Sequence, residues 1–415
     1  MEGTPQFAHI HFGPGRLGLG LVVLTAIEGG LDIHLVARQD CELRADRLSV
    51  MLHQNGGGTR RVHPLPIGSL SAAGCAGDLE PEARAALRSS SLLVTTSLTT
   101  AGISQCKGLI AEVLGLRPRR LLPATVFIAA ENDAGADGAL LERELRALGI
   151  DCRRTMVNRL CYIPEAVVPN GGDPPGAPDP RAREVHADGL AEWVIEGKPD
   201  HPVLLALDRA PHTRFVPDAA PYELRKRWLV NGGHLALALW ARRRRIVSMA
   251  VAASEPGRSK WLARFSAPLV RALETRYPEL EDSERYTLDH VDAWMRHDDD
   301  VSRILRRLTR GDLLPLLDDV ERKLVEPLEL LRGMGESWPL LQQTFYRLQT
   351  ILRNYNEYLD REQIENGQIV LTRERDQQVL ERYRALLSAV FPVAEANRLV
   401  EQMDRAFDRH RARFD

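Results

Sequence analysis

Residues 7 to 18, FAHIHFGPGRLG, constrain the first half of the chain more than any other stretch. Gly13-x-Gly15-x-x-Gly18 directly follows an apolar, strand-like run and opens a helical one, the strand–turn–helix setting in which this spacing carries meaning. Gly13 suits a tight turn, Gly15 a close approach of backbone to a pyrophosphate, and Gly18 close packing of helix on strand. The helix start then turns its N–H groups and dipole toward the anion. Gly13, Gly15, Arg16, Leu17 and Gly18 are therefore candidate cofactor-binding residues, against the alternatives of a purely structural turn or another nucleotide-like ligand.

The runs FAHIHF (7–12), DIHLVA (32–37), SLLVTT (91–96) and TVFIAA (125–130) are almost continuously apolar, as strands buried on both faces of a parallel sheet are. Helical stretches such as LGLGLVVLTAIEGG and LEREL separate them. A loop rich in proline and glycine follows at 168–180, and EWVIEG (192–197) and PVLLAL (202–207) read as further strands. From Pro221 the chain is helical and rich in Leu and Arg. The expectation is an α/β, Rossmann-type doubly wound domain over residues 1–215, followed by a mostly α-helical substrate-binding and catalytic domain over 216–415. A chain of 415 residues has room for both.

The end of the second strand bears on the choice of cofactor, NAD or NADP. An acid there binds ribose hydroxyls, whereas a small residue followed by Arg suits a 2′-phosphate. Here it reads LVARQD, so Arg38 favours NADP; in the alternative, Arg38 is a solvated charge and Asp40 meets the ribose. A formal net charge of −2 gives no general attraction to nucleic acid or anionic membrane. No apolar run reaches the ~18 residues that span a bilayer, and the first residues lack a secretory pattern. Cysteines 41, 75, 106, 152 and 161 have no CxxC or His/Cys metal spacing. His53, His63, His290 and His297 have no ligand-like spacing either. The expectation is a cytoplasmic protein with free thiols and no metal.

ELRKRWLVNGGHLALALWARRRR (223–245) reads as one long helix whose middle is apolar yet holds Asn231, Gly232, Gly233 and His234, with Lys226 upstream. At about 100° per residue, Glu223, Asn231 and His234 all fall within about 140° of Lys226. The two glycines, costly in a helix, thin it where a ligand could approach. The set suits secondary-alcohol oxidation and carbonyl reduction. Lys226 can accept the alcohol proton and Asn231 can donate to the developing oxyanion. His234 can orient substrate hydroxyls or Lys226, and Glu223 can pass the proton to solvent. Lys226, His234 and Glu223 also have plain readings: a charge in the run Arg225–Arg227, a satisfied core histidine, and a first-turn acid complementing the helix dipole. ARRRR (241–245) reads as an exposed helix C-terminus rather than a phosphate site.

Lys226, Asn231, His234 and Glu223 in PYELRKRWLVNGGHLALAL resemble the signature of the polyol-specific long-chain dehydrogenases, the mannitol-1-phosphate and mannitol dehydrogenases in particular. HFGPGRLGLG, AAENDAG (129–135), VNRLCYIPEAVVP and EWVIEG fit the same order, so the resemblance covers roughly residues 7 to 240. It implies metal-independent hydride transfer between a polyol and a nicotinamide cofactor, with Lys226 as general base and Asn231 in an oxyanion hole. It also implies Asn132 beside the cofactor. Two departures stand out. Asn158 replaces the family's more usual Asp, and Val325, Glu329 and Leu330 occupy positions where the family carries basic residues near the substrate. The first implies a different polar network near Arg159, and the second argues for an unphosphorylated or atypical polyol-like alcohol. The competing classes are a Rossmann sensor that binds cofactor without catalysis and a nucleotide-binding transferase; neither uses the Lys226 face.

Overall fold

The four apolar runs are four neighbouring strands of one parallel sheet. In the computed structural model, which describes residues 7–39, 43–53, 61–131, 135–162, 183–296, 313–354 and 372–411, contacts divide the chain into Met1–Ala220 and Pro221–Asp415. The first unit's described strands are β1 (Phe7–Phe12), β2 (Asp32–Ala37), β3 (Leu48–His53), β4 (Arg61–Pro64), β5 (Ser69–Ala72), β6 (Ser91–Thr96), β7 (Thr125–Ala129), β8 (Asp151–Arg153), β9 (Thr155–Tyr162), β10 (Arg183–Glu196) and β11 (Thr213–Val216).

Six of them form an all-parallel sheet in the order β5-β2-β1-β6-β7-β8. Counted in chain order within that sheet, this is 3-2-1-4-5-6, the doubly wound dinucleotide arrangement. The order reverses between β1 and β6, which pair in register from Phe7 with Ser91 to Phe12 with Thr96. Side chains alternate across the sheet. Ala8, Ile10 and Phe12 enter a core with Val94, Ile110 and Phe127. On the opposite face Ile33, Leu35, Leu93 and Ile128 pack with Leu19, Val22 and Trp193.

A second sheet runs β11-β10-β3-β4, with β9 antiparallel on β10. EWVIEG is the end of its longest strand. PVLLAL, expected as a strand, is instead the Pro202–Asp208 helix. Val203, Leu204, Ala206 and Leu207 are buried while Leu205 is 48% exposed, a helical rather than two-residue period. Pro202 sits in the first turn, where its missing N–H costs nothing, and His201 accepts a cap bond from the Val203 N–H. A six-residue apolar run does not by itself separate a buried strand from a buried helix.

The regular elements among the second unit's described residues are all helical. Its first helical stretch runs Ala220–Arg225, a π-helical turn Lys226–Asn231, then Gly232–Arg243. A second π-helical turn, Glu321–Val325, leads into Pro327–Gly333. No described helix is long and apolar enough to cross a membrane.

Candidate active site

The glycine turn leaves β1 at the point where the strand order reverses, the place where such sheets take ligands. Gly13 has φ 85°, and an added Cβ would lie 2.5 Å from Leu98 Cδ2 and 2.9 Å from Ser97 O. A Cβ on Gly18 would collide with His11 Nε2 and come within 2.8 Å of Gly13 O. Gly15 differs: a Cβ there would meet only loop backbone, at 3.8 and 3.9 Å. The protein itself fills the space at Gly13 and Gly18 and leaves it open at Gly15, where a pyrophosphate would approach. Arg16 and Leu17 begin the helix and are half-buried.

Three side chains that the sequence did not suggest hold this turn. Arg183 Nη1 donates to Pro14 O at 3.0 Å, and Arg159 Nη1 to Gly20 O at 2.9 Å. His11 Nε2 lies 3.1 Å from Gly13 O, and its Nδ1 lies 2.6 Å from Thr95 Oγ1, which is itself 2.6 Å from His9 Nε2. Burial pushes the His11 pKa down to about 4 and holds His9 well below its ordinary value, so both rings are neutral. Proton placement follows from that. His11 donates through Nε2 to the Gly13 carbonyl, its Nδ1 accepts from the Thr95 hydroxyl, and Thr95 accepts from His9. With these carbonyls held by protein donors, the helix start offers amide N–H groups to an anion. These residues fit a dinucleotide.

Leu98, beneath Gly13, donates its N–H to Glu131 Oε1 at 3.0 Å. Burial pushes the Glu131 carboxyl up to about 7. A carboxyl raised in the folded state stabilises below its unfolded pKa, near 4.5, and that contribution is lost as pH rises through 7. Glu131→Gln should therefore melt with the wild type at pH 5 and above it at pH 8, by about 1 to 3 kcal/mol. Melts with the same offset at both pH values would show Glu131 to be ionised throughout.

Arg38, exposed at the end of β2, lies close enough to Cys106 for its charge to act on that thiol. Asn132 and Asp40 lie outside the described residues.

In the second unit, Glu223, Lys226, Asn231 and His234 lie on one continuous helical stretch, all half-buried. The sequence pattern assumes an α-helix, which would set Asn231 about 140° from Lys226. The structure departs from it here. The Gly232 N–H reaches back to Arg227 O, five residues earlier. Five-residue bonding winds the chain less per residue, so Asn231 rotates back toward the Lys226 side of the helix. The basic run divides: the Arg225 guanidinium stacks 3.9 Å from the Tyr286 ring centroid, while Arg227 reaches Glu326 at 3.4 Å. His234 packs 5.2 Å from Trp294 between ring centroids, and burial, helped by Lys323, pushes its pKa down to about 4. A neutral imidazole can donate and accept one hydrogen bond each.

Two expectations need correction. Gly232 and Gly233 do not open the helix to a ligand, because protein occupies both approaches. A Cβ on Gly232 would lie 2.9 Å from Lys323 O, and one on Gly233 would lie 3.4 Å from Trp294. The glycines serve helix packing. Lys323 O can be that close partly because residue 327, its ordinary helical donor, is proline. Second, although Val325, Glu329 and Leu330 are not basic, the same stretch does bring a cation to this face, Lys323, which acts on His234. The basic pair Arg322–Lys323 was the available signal. Among the described residues no group of three or more metal-ligating side chains occurs.

No family model matches the chain. A mannitol-1-phosphate 5-dehydrogenase of Exiguobacterium sp. (strain ATCC BAA-1283 / AT1b) is 30% identical over 235 residues, 54% of this chain and 55% of that protein. Its namesake in Lacticaseibacillus casei (strain BL23) is 27% identical over 234 residues, 55% of this chain and 58% of that one. The chain thus spans little more than half the length of the curated relatives it matches. Among solved structures, Pseudomonas fluorescens mannitol 2-dehydrogenase, in a ternary complex with NAD and D-mannitol, superposes with TM-score 0.63 at 16% identity, covering 98% of this chain and 92% of that one. Substrate-free D-sorbitol dehydrogenase gives 0.61 at 13% identity, covering 84% and 81%. These two likenesses show a shared fold.

Proposed function

We propose that the chain is a member of the polyol-specific long-chain dehydrogenase and reductase family, which its partial matches and shared fold support, and that it is a metal-independent NAD(P)-dependent oxidoreductase acting on a secondary alcohol of a polyol, or on the matching ketone. The observation that carries this reading is the π turn from Lys226 to Asn231, which gathers a base and an oxyanion donor on one side of a helix with His234 one turn on. When bound, the nicotinamide supplies the hydride acceptor or donor. Gly13, Gly15, Arg16, Leu17 and Gly18 would hold its pyrophosphate. Lys226 takes the alcohol proton in oxidation and returns it in reduction. Asn231 donates to the oxygen as charge develops there. His234, kept neutral by burial, orients a substrate hydroxyl, and Glu223 passes the proton to solvent.

Polyols, sugar phosphates and ketoses screened against both cofactors, followed at the nicotinamide absorbance, test this directly. Turnover of a polyol or ketose is expected. Cofactor binding without turnover of any of them leaves a sensor in place of an enzyme. With Arg38 clamping a 2′-phosphate, Arg38→Asp should weaken NADP(H) at least about tenfold more than NAD(H), the loss of a charge-assisted contact. Equal losses, or none, remove the preference for NADP.

A further inference from the structure

About 20 Å along the helix from Lys226, the second unit gathers arginines around two tryptophans. The Arg258 guanidinium carbon lies 3.5 Å from the Trp240 ring centroid and 5.4 Å from that of Trp261. Arg244 approaches Trp240 at 4.9 Å and Arg347 approaches Trp261 at 5.0 Å. Stacking on aromatic faces holds guanidinium groups in place without neutralising them.

Among the described residues neither the charges nor the donors are balanced locally. Arg243, Arg244 and Arg258 all act on Arg347, whose pKa falls to about 10 through burial and then through these neighbours. The acid identified beside the cluster is Glu255, which reaches Arg244 only at 3.8 Å. Arg258 Nε, Arg347 Nη1 and Trp261 Nε1 are buried without a hydrogen-bond partner. Buried donors are almost always satisfied, by protein, water or a bound ion. The cluster also sits where the Arg258–Arg276 helix begins, and that first turn holds no acid. Arg258 and Lys260 there oppose the helix dipole unless an anion offsets them.

Against the plain reading of residues 241–245 as a solvated helix end, we propose that the stacked arginines Arg244, Arg258 and Arg347, with Trp240 and Trp261, form a binding site for a compact phosphate dianion, free or as a monoester. One carboxylate, Glu255, is present and leaves the buried donors unmet. A tetrahedral dianion offers several acceptors in a small volume and suits planar guanidinium forks. Arg243 and Arg244 are exposed and leave the cluster open to solvent. The site is separate from the Lys226 face and does not depend on the dehydrogenase reading.

The test is a titration of the whole chain with inorganic phosphate, with phenyl phosphate, and with a short single-stranded oligothymidine, at ionic strength fixed by chloride. Phosphorus NMR reads binding and thermal unfolding reads its effect. Inorganic phosphate and phenyl phosphate should each bind saturably, raising the melting temperature by about 5 °C or more at ~100 times the dissociation constant. Arg258→Met and Arg347→Met should abolish the rise, and Lys226→Ala should keep it. Should either methionine variant fail to fold, Arg347→Lys, which keeps the charge but loses the planar fork, should weaken binding about tenfold. Absence of saturable binding to the wild type overturns the proposal. So does binding that survives in both methionine variants, binding that is lost with Lys226, or binding by the oligothymidine alone.

Discussion

Lys226→Ala should still bind nicotinamide cofactor yet lose turnover by about 10²- to 10⁴-fold, the contribution of one general base. Its position at the start of the π turn makes the loss specific to chemistry. Arg225 and Arg227 on either side have their own partners, Tyr286 and Glu326, so neither charge can stand in for it. A small primary amine in the assay should restore part of the rate. The pH profile of alcohol oxidation should rise through one ionisation in the wild type and flatten in the variant. Asn231→Ala should lose about 10²- to 10³-fold, as for one oxyanion donor, and amines should not rescue it. Chelators should leave the wild-type rate unchanged. A Lys226→Ala enzyme with near-full rate and an unaltered pH profile would end the proposed mechanism.

Gly18→Ala and Gly15→Ala should both weaken cofactor binding, by about 100-fold or more, and should differ sharply in stability. At Gly18 the new methyl meets Gly13 O, a backbone atom, at 2.8 Å. It also meets the His11 ring, which Thr95 and Gly13 hold from both nitrogens. Neither neighbour can move without dismantling the turn, so unfolding should become easier by about 1 to 3 kcal/mol. At Gly15 the methyl enters open space, and the protein should melt as the wild type does. Only a ligand would feel it. Nucleotide titration and thermal melts on the same two proteins separate these effects. Undiminished binding in Gly15→Ala would mean that no cofactor approaches that backbone.

β1, β2, β6 and β7 were legible because strands buried on both faces must be apolar at nearly every position. β10 was legible only at its end. Its first residues, REVHADGLA, mix charge with small side chains, and its pairing with β9 shifts register between Ala187 and Ala191. The Pro202–Asp208 helix was misread because its buried residues are adjacent in sequence. The glycine turn announced itself by spacing. Its supports did not, since Arg159 and Arg183 lie far from it along the chain and a buried strand histidine leaves no periodic trace. The π turn was hidden for another reason. The turn winds less per residue and so shifts the phase of every side chain beyond it, but the stretch is apolar on nearly all sides and leaves no phase in which the shift can be read.

The packing of Gly232 against Lys323 has a consequence for inheritance. Pro327 removes the N–H that would otherwise engage the Lys323 carbonyl within its own helix, and that carbonyl rests where a side chain on residue 232 would project. The space at residue 232 is therefore set by a backbone atom nearly a hundred residues away. A larger residue at 232 meets that carbonyl head-on, and because the neighbour is backbone it cannot turn aside as a side chain could. Among descendants of a common ancestor, position 232 should therefore hold glycine for as long as the two helical stretches pack this closely.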